Sequence, residues 1–149
     1  MKETAQKIRE LIHSTVSEFS AIDADEAGSK ISPDKWSKKE ILGHLIDSVA
    51  NNHQRCVRAG YNAADQFPPY NQNEWVRIQH YNNIFWHDLI NLWTAYNQHL
   101  CHVIDSLPDE SKSTLCNIGK EEPVTLEFVV MDYLRHLRHH INQILEKER

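Results

Sequence analysis

The sequence predicts an all-α protein, a four-helix bundle with long crossover connections. Three observations carry that prediction. Only four glycines and five prolines interrupt the 149 residues, so long helices can run unbroken. Four stretches repeat apolar residues at spacings of three and four, the period of one helical face. Two of the connections between them are long, as in bundles with crossovers.

The first helix is expected over residues 3–20, where Ile8, Leu11, Ile12, Val16 and Phe19 recur at helical spacing. "DADEAGSKISPD" then breaks the pattern. The second helix has the clearest start signal. Ser37 and Glu40 form an S-x-x-E capping box, with Trp36 before the cap and Ile41 at the fourth helical position as a hydrophobic staple. It runs to Ala59, with Ile41, Leu42, Leu45, Ile46, Val49, Cys56 and Val57 on its core face. Residues 60–81 make a long connection, which in a compact domain is usually functional or carries local structure. The third helix covers 82–106, on a stripe from Phe85 through Leu89, Leu92, Trp93 and Tyr96 to Leu107, and Pro108 ends it. The segment around Asn117–Gly119 suits a short hairpin. Thr125 is an N-cap for the fourth helix, which continues to Lys147 and buries Leu126, Val130, Tyr133, Leu137, Ile141 and Ile144.

A chain of this length fits one domain, residues 1–149, with a real core. Its formal charge of −5, without a basic run or a Gly-rich phosphate loop, argues against nucleic acid as a partner. No stretch approaches the length of a membrane span. "MKETAQKIRELIHS" lacks the apolar centre of a signal peptide. Three cysteines, Cys56, Cys101 and Cys116, without a CxxC fit reduced thiols. These features together point to a cytoplasmic protein. Apolar and aromatic residues are plentiful along the first and third helices, and one such face would serve a homodimer.

Among ten histidines, His136 and His140 stand out. Four residues apart on one helix, they share a face, a common way to supply two metal ligands from a rigid element. On a helical wheel at about 100° per residue, His140 falls inside the apolar face and His136 at its edge. His139 falls with Arg135, Arg138, Asn142 and Glu146 on the solvated face. The wheel therefore selects His136 and His140 and rejects His139. A plainer reading makes His140 a hydrogen-bonded core histidine and His136 a boundary residue. His44 lies off the apolar stripe of the second helix, on a polar strip with Ser48, Asn51 and Arg55. Either it faces solvent, or that strip lines a groove at one end of the bundle. Asp47, three residues on, is placed to orient an imidazole. Periodicity alone does not choose.

"KWSKKEILGHLIDS", followed by "FPPYNQNEWV" and ending in "HLRHHINQI", resembles the DinB-like four-helix-bundle superfamily, and more narrowly the branch that includes the bacillithiol S-transferases. The resemblance rests on a Trp before the second helix, H-L-x-D within it, P-Y-[DN]-x-x-x-W in the loop and H-x-x-H-H-x-x-Q-I in the last helix. It implies a metal held by three histidines, one from H-L-x-D and two from the last helix: His44, His136 and His140. Zinc is the default divalent cation for such ligands; nickel, cobalt, manganese or iron suits them too. The resemblance further implies that a low-molecular-weight thiol binds the open position, ionises and attacks an electrophile, in detoxification. The enzyme rival is a hydrolase in which water replaces the thiol. The non-catalytic rival is a stress-induced bundle stabilised by its metal.

Other candidates follow from the same segments. Asp47 is a candidate partner for a metal-bound histidine. Tyr70 and Trp75 suit a pocket wall or simple loop packing. Arg55 suits an anionic thiol, or solvent. Trp36 is explained by the staple. His13, His53, His80, His87, His99 and His102 form no constellation; of these, His80 and His87 lie near the loop end, where an approach to the site is open to them.

Overall fold

The computed structural model describes residues 1–61 and 66–147; positions 62–65 of the expected long connection lie outside the described residues. Six α-helices are present: α1 (Lys2–Ser20), α2 (Ala24–Gly28), α3 (Lys38–Ala59), α4 (Gln72–Gln79), α5 (Trp86–Ser106) and α6 (Leu126–Ile144). Short 3-10 turns occupy Tyr81–Asn83 and Asp109–Ser113, and β1 (Leu115–Cys116) pairs antiparallel with β2 (Val124–Thr125).

The four long helices are α1, α3, α5 and α6, and they form the bundle expected from periodicity. Packing runs α1 to α5 to α3 to α6 and back to α1. Helices α1 and α3 therefore lie on one diagonal and α5 and α6 on the other. Two of the three connections, α1 to α3 and α5 to α6, therefore cross the bundle end, while the longest, α3 to α5, joins neighbours and carries α4. Ala5, Ile8, Ile12, Thr15 and Phe19 bury one face of α1 at spacings of three and four. The Trp86 indole N–H donates to the Phe19 carbonyl at 2.8 Å, tying α5 to α1. Tyr133 of α6 donates to Asn97 Oδ1 of α5 at 2.6 Å, which satisfies two polar groups inside the core.

Both expected caps are present. The Ser37 hydroxyl accepts from the Glu40 amide at 3.2 Å, and the Glu40 carboxylate accepts from the Ser37 amide at 2.8 Å. Ser37 also donates to Asn82 Oδ1 at 2.7 Å, so the start of α3 is joined to the turn before α5. Thr125 caps α6 through the Phe128 amide. Ser37→Ala removes the α3 cap, worth roughly 0.5–2 kcal/mol. A lower denaturation midpoint with unchanged metal stoichiometry is the expected result; an unchanged midpoint would show that this cap holds nothing.

Several expectations are corrected. The break after α1 holds the short helix α2, capped by Asp23. The long connection does carry local structure, as expected: helix α4, capped by Asn71. The third long helix begins at Trp86, not 82, because His80 takes a left-handed conformation (φ 49) and Tyr81–Asn83 tightens into a 3-10 turn. Phe85 is then the N-cap and 80% exposed, and Leu92 and Val57 are also exposed rather than buried. Helix α6 stops at Ile144, short of Lys147, as Glu146 turns to positive φ. The expected hairpin is the β1–β2 pair. In its turn Gly119 has φ +84, and a Cβ there would stand 3.1 Å from Pro69. The Phe67 amide donates to the Asn117 carbonyl at 2.8 Å, so the loop preceding Tyr70 is seated on this turn. No helix of the described residues is long and apolar enough to cross a membrane.

Candidate metal centre

His44 comes from α3, and His136 and His140 from the facing α6. The structure brings these three together: their ligand atoms all lie within 4.8 Å of one another. His44 Nε2 and His136 Nε2 are 3.0 Å apart. The three rings meet edge to face, with centroids 4.5 to 5.0 Å apart. A tetrahedral cation with bonds of about 2.0–2.1 Å sets its ligand nitrogens about 3.3 Å apart. The cluster is close to that size, and its donors are of the type that divalent transition metals accept.

Electrostatics keep the lone pairs available. Burial, then the neighbouring His136 and His140, push the His44 pKa down to about 3. Burial, and next His140, push His136 down to about 4. Both rings are neutral at pH 7, the form that binds a cation. His140 Nδ1 donates to Gln143 Oε1 at 2.9 Å, which fixes the tautomer that leaves Nε2 for coordination. His139, one residue away, meets His140 edge to face but is exposed and outside the cluster, as its wheel position requires.

His44 is only 1% exposed, so its solvent-facing reading fails. Residues 41–49 of α3 are all buried, because α5, α6, α4 and the Tyr81 turn enclose that half of the helix. The Trp36 ring lies 5.1 Å from the His44 ring and covers its outer side, a role beyond the staple. The groove reading holds: His44, Ser48, Asn51 and Arg55 line one polar cavity of about 150 Å³, together with Tyr70, Asp132 and His136. A wider groove of about 840 Å³ is bordered by Trp36 and Gln143, the side chains that contact His44 and His140. Two triad members, His44 and His136, thus open onto the small cavity, and the wider groove lies beyond Trp36 and Gln143.

Asp47 does not orient a histidine. Its Oδ1 accepts from the Tyr81 hydroxyl at 2.6 Å and from Gln79 Nε2 at 2.7 Å. Asp47 Oδ2 and His44 Nδ1 are both buried without a hydrogen-bond partner. Burial raises the Asp47 pKa, and its two donors oppose that. The carboxyl fastens the α4–α5 connection onto α3. Tyr81 reaches it by lying against Gly43, where an added Cβ would stand 2.1 Å from the ring. A glycine inside a helix, costly in propensity, is the one sequence signal for that approach.

Trp75 packs its ring on Tyr70 at 4.9 Å, outside the cluster and 39% exposed. His80 and His87 are exposed and do not reach the site. Sequence reasoning missed Gln79, Tyr81, Asp132 and Gln143. It also missed a ring cluster away from the triad, where His53 faces His99 at 4.9 Å beside Tyr96.

Comparison with known proteins agrees with this architecture. The structure resembles that of YfiT from Bacillus subtilis, described as "a probable metal-dependent hydrolase with an unusual four-helix bundle topology" (TM-score 0.82, 18% identity, 97% of this chain and 84% of that one). It also resembles a mycothiol-dependent maleylpyruvate isomerase (TM-score 0.75, 15% identity, 95% of this chain), of which it spans 59%. At these identities the likeness is one of fold. No curated protein matches the sequence. The model of the DinB superfamily matches residues 7–144. With nearly the whole chain matched and the bundle in place, the protein belongs to the DinB superfamily.

Proposed function

We propose that His44, His136 and His140 hold one divalent cation, and that the protein transfers a low-molecular-weight thiol, of the bacillithiol kind, onto an electrophilic small molecule. Zinc is the first choice by ligand type; nickel, cobalt, manganese and iron can use the same nitrogens. A divalent cation there supplies Lewis acidity, which lowers the pKa of a thiol or water at its open position.

The observation that carries this reading is the imidazole triad bordering a polar cavity, with two of its rings held neutral by burial. Neutral ligands leave a cation its full charge. The small polar cavity that His44 and His136 line suits the head of a thiol. Gln143 holds His140 in its coordinating tautomer, and Trp36 shields His44 from water. The protein's own thiols are poor nucleophiles. All three are buried, and burial pushes Cys56 up to about 12 and Cys101 up to about 11. The fold likeness to YfiT supports a second reading, hydrolysis with water in place of the thiol.

Turnover of a model electrophile with small thiols, before and after chelation, tests the reading. Chelated protein should lose thiol transfer, and added divalent metal should restore it. A Cys56→Ala, Cys101→Ala, Cys116→Ala triple variant should keep it. Metal-free turnover would overturn the mechanism, and hydrolysis without any thiol would move the assignment to the second reading.

A further inference from the structure

Arg55 is a partly buried cation without an ion pair among the described residues. Arg9, Arg77 and Arg135 each hold a carboxylate. Arg55 has one long hydrogen bond, from Nη1 to Asn52 Oδ1 at 3.4 Å. The acid nearest to hand, Asp132 on the same cavity, has its Oδ1 engaged by Arg135 at 2.5 Å. A guanidinium stays charged even when buried, and a buried charge is stable only with a counter-charge or a full set of hydrogen bonds. Arg55 has only the long Asn52 contact and the charge of Asp132, which stands beyond ion-pair distance and is shared with Arg135.

The cavity it faces offers the donors Ser48, Asn51 and Tyr70 beside the one carboxylate of Asp132, whose charge Arg135 offsets. Ser48 and Arg55 stand on the strip of α3 that begins at His44. Arg55 starts 11 residues further on, about 16 Å along the axis. Its side chain leans back toward the helix N-terminus, as the Asn52 contact shows. From the opposite wall Tyr70 brings a phenol, seated there by the loop that rests on the β1–β2 turn. Burial and the charge of Asp47 keep that phenol protonated, as a donor.

We propose that this cavity is a carboxylate subsite, in which Arg55, Tyr70 and Ser48 receive the carboxylate of one reactant and present the rest of it to His44 and His136. The ligand is a small carboxylic acid, since the cavity holds only about 150 Å³. The word reactant rests on the metal-centre reading above; carboxylate binding by Arg55 does not. The acid can sit on the thiol or on the electrophile, and the chemistry at Arg55 is the same for both.

Calorimetric titration separates these points. Metal-free protein is titrated with propionate and with propionamide, which differ only in charge and read Arg55 without a cation. Propionate should bind at least about ten-fold tighter, as expected for a charge-assisted pair. Arg55→Gln should remove that preference, Arg55→Lys should keep part of it, and both variants should keep wild-type metal stoichiometry. Metal-loaded protein is then titrated with 3-mercaptopropionate against its amide, and with acrylate against acrylamide. The pair that shows an Arg55-dependent preference for the acid identifies which reactant carries the carboxylate. Equal binding of propionate and propionamide, or an acid preference that survives in Arg55→Gln, would overturn the subsite. Loss of wild-type metal stoichiometry with the propionate preference intact would overturn the metal centre and leave the subsite standing.

Discussion

Gly43→Ala is expected to lower the denaturation midpoint by about 6–12 °C, from a loss near 3 kcal/mol at about 2–4 °C per kcal/mol. The new methyl would stand 2.1 Å from the Tyr81 ring, which is 3% exposed and has nowhere to move. Overpacking of this kind costs about 1–3 kcal/mol. Displacing Tyr81 also breaks its buried bond to Asp47, for about 1–3 kcal/mol more, while the helix gains about 1 kcal/mol from losing a glycine. Thermal or urea unfolding checks the sum. Tyr81→Ala in the same background should recover part of the loss, because the two changes share one contact. An unchanged midpoint in Gly43→Ala would mean that Tyr81 does not pack on α3 at that point.

His44→Ala is expected to abolish thiol transfer while the bundle stays folded. His44 is the only ligand that α3 contributes; without it the two α6 imidazoles remain on one helix with no opposing donor. Removing a partner that merely orients a ligand costs about 10–100-fold in affinity or activity, so removing the ligand should exceed that range. Circular dichroism and turnover on the same preparation check the two halves of the prediction. Activity within ten-fold of wild type would remove His44 from the site.

The long helices were legible because each buries one face against two neighbours, so their periodicity survives into the fold. The caps at Ser37 and Thr125 were legible because they are local. His136 and His140 were separable from His139 because α6 keeps one face in solvent, and a wheel reads such a helix well. The wheel grouped His44 with Ser48, Asn51 and Arg55, as the cavity does, but it could not choose between solvent and groove, because α3 is buried over residues 41–49 whatever the polarity. The partners of Asp47, Gln79 and Tyr81, lie 32 and 34 residues away, and no local pattern announces contacts of that range. Helices α2 and α4 were missed because five and eight residues hold too few periods. The family motifs pointed to His44 where periodicity could not.

The central claim is that three named histidines, and not their neighbour, hold one cation. Elemental analysis of protein purified without a metal-affinity tag tests it most directly, on the wild type and on His44→Ala, His136→Ala, His139→Ala and His140→Ala. The wild type and His139→Ala should each carry one divalent metal per chain, and the other three substoichiometric metal. Metal lost from His139→Ala but kept in His136→Ala would contradict it.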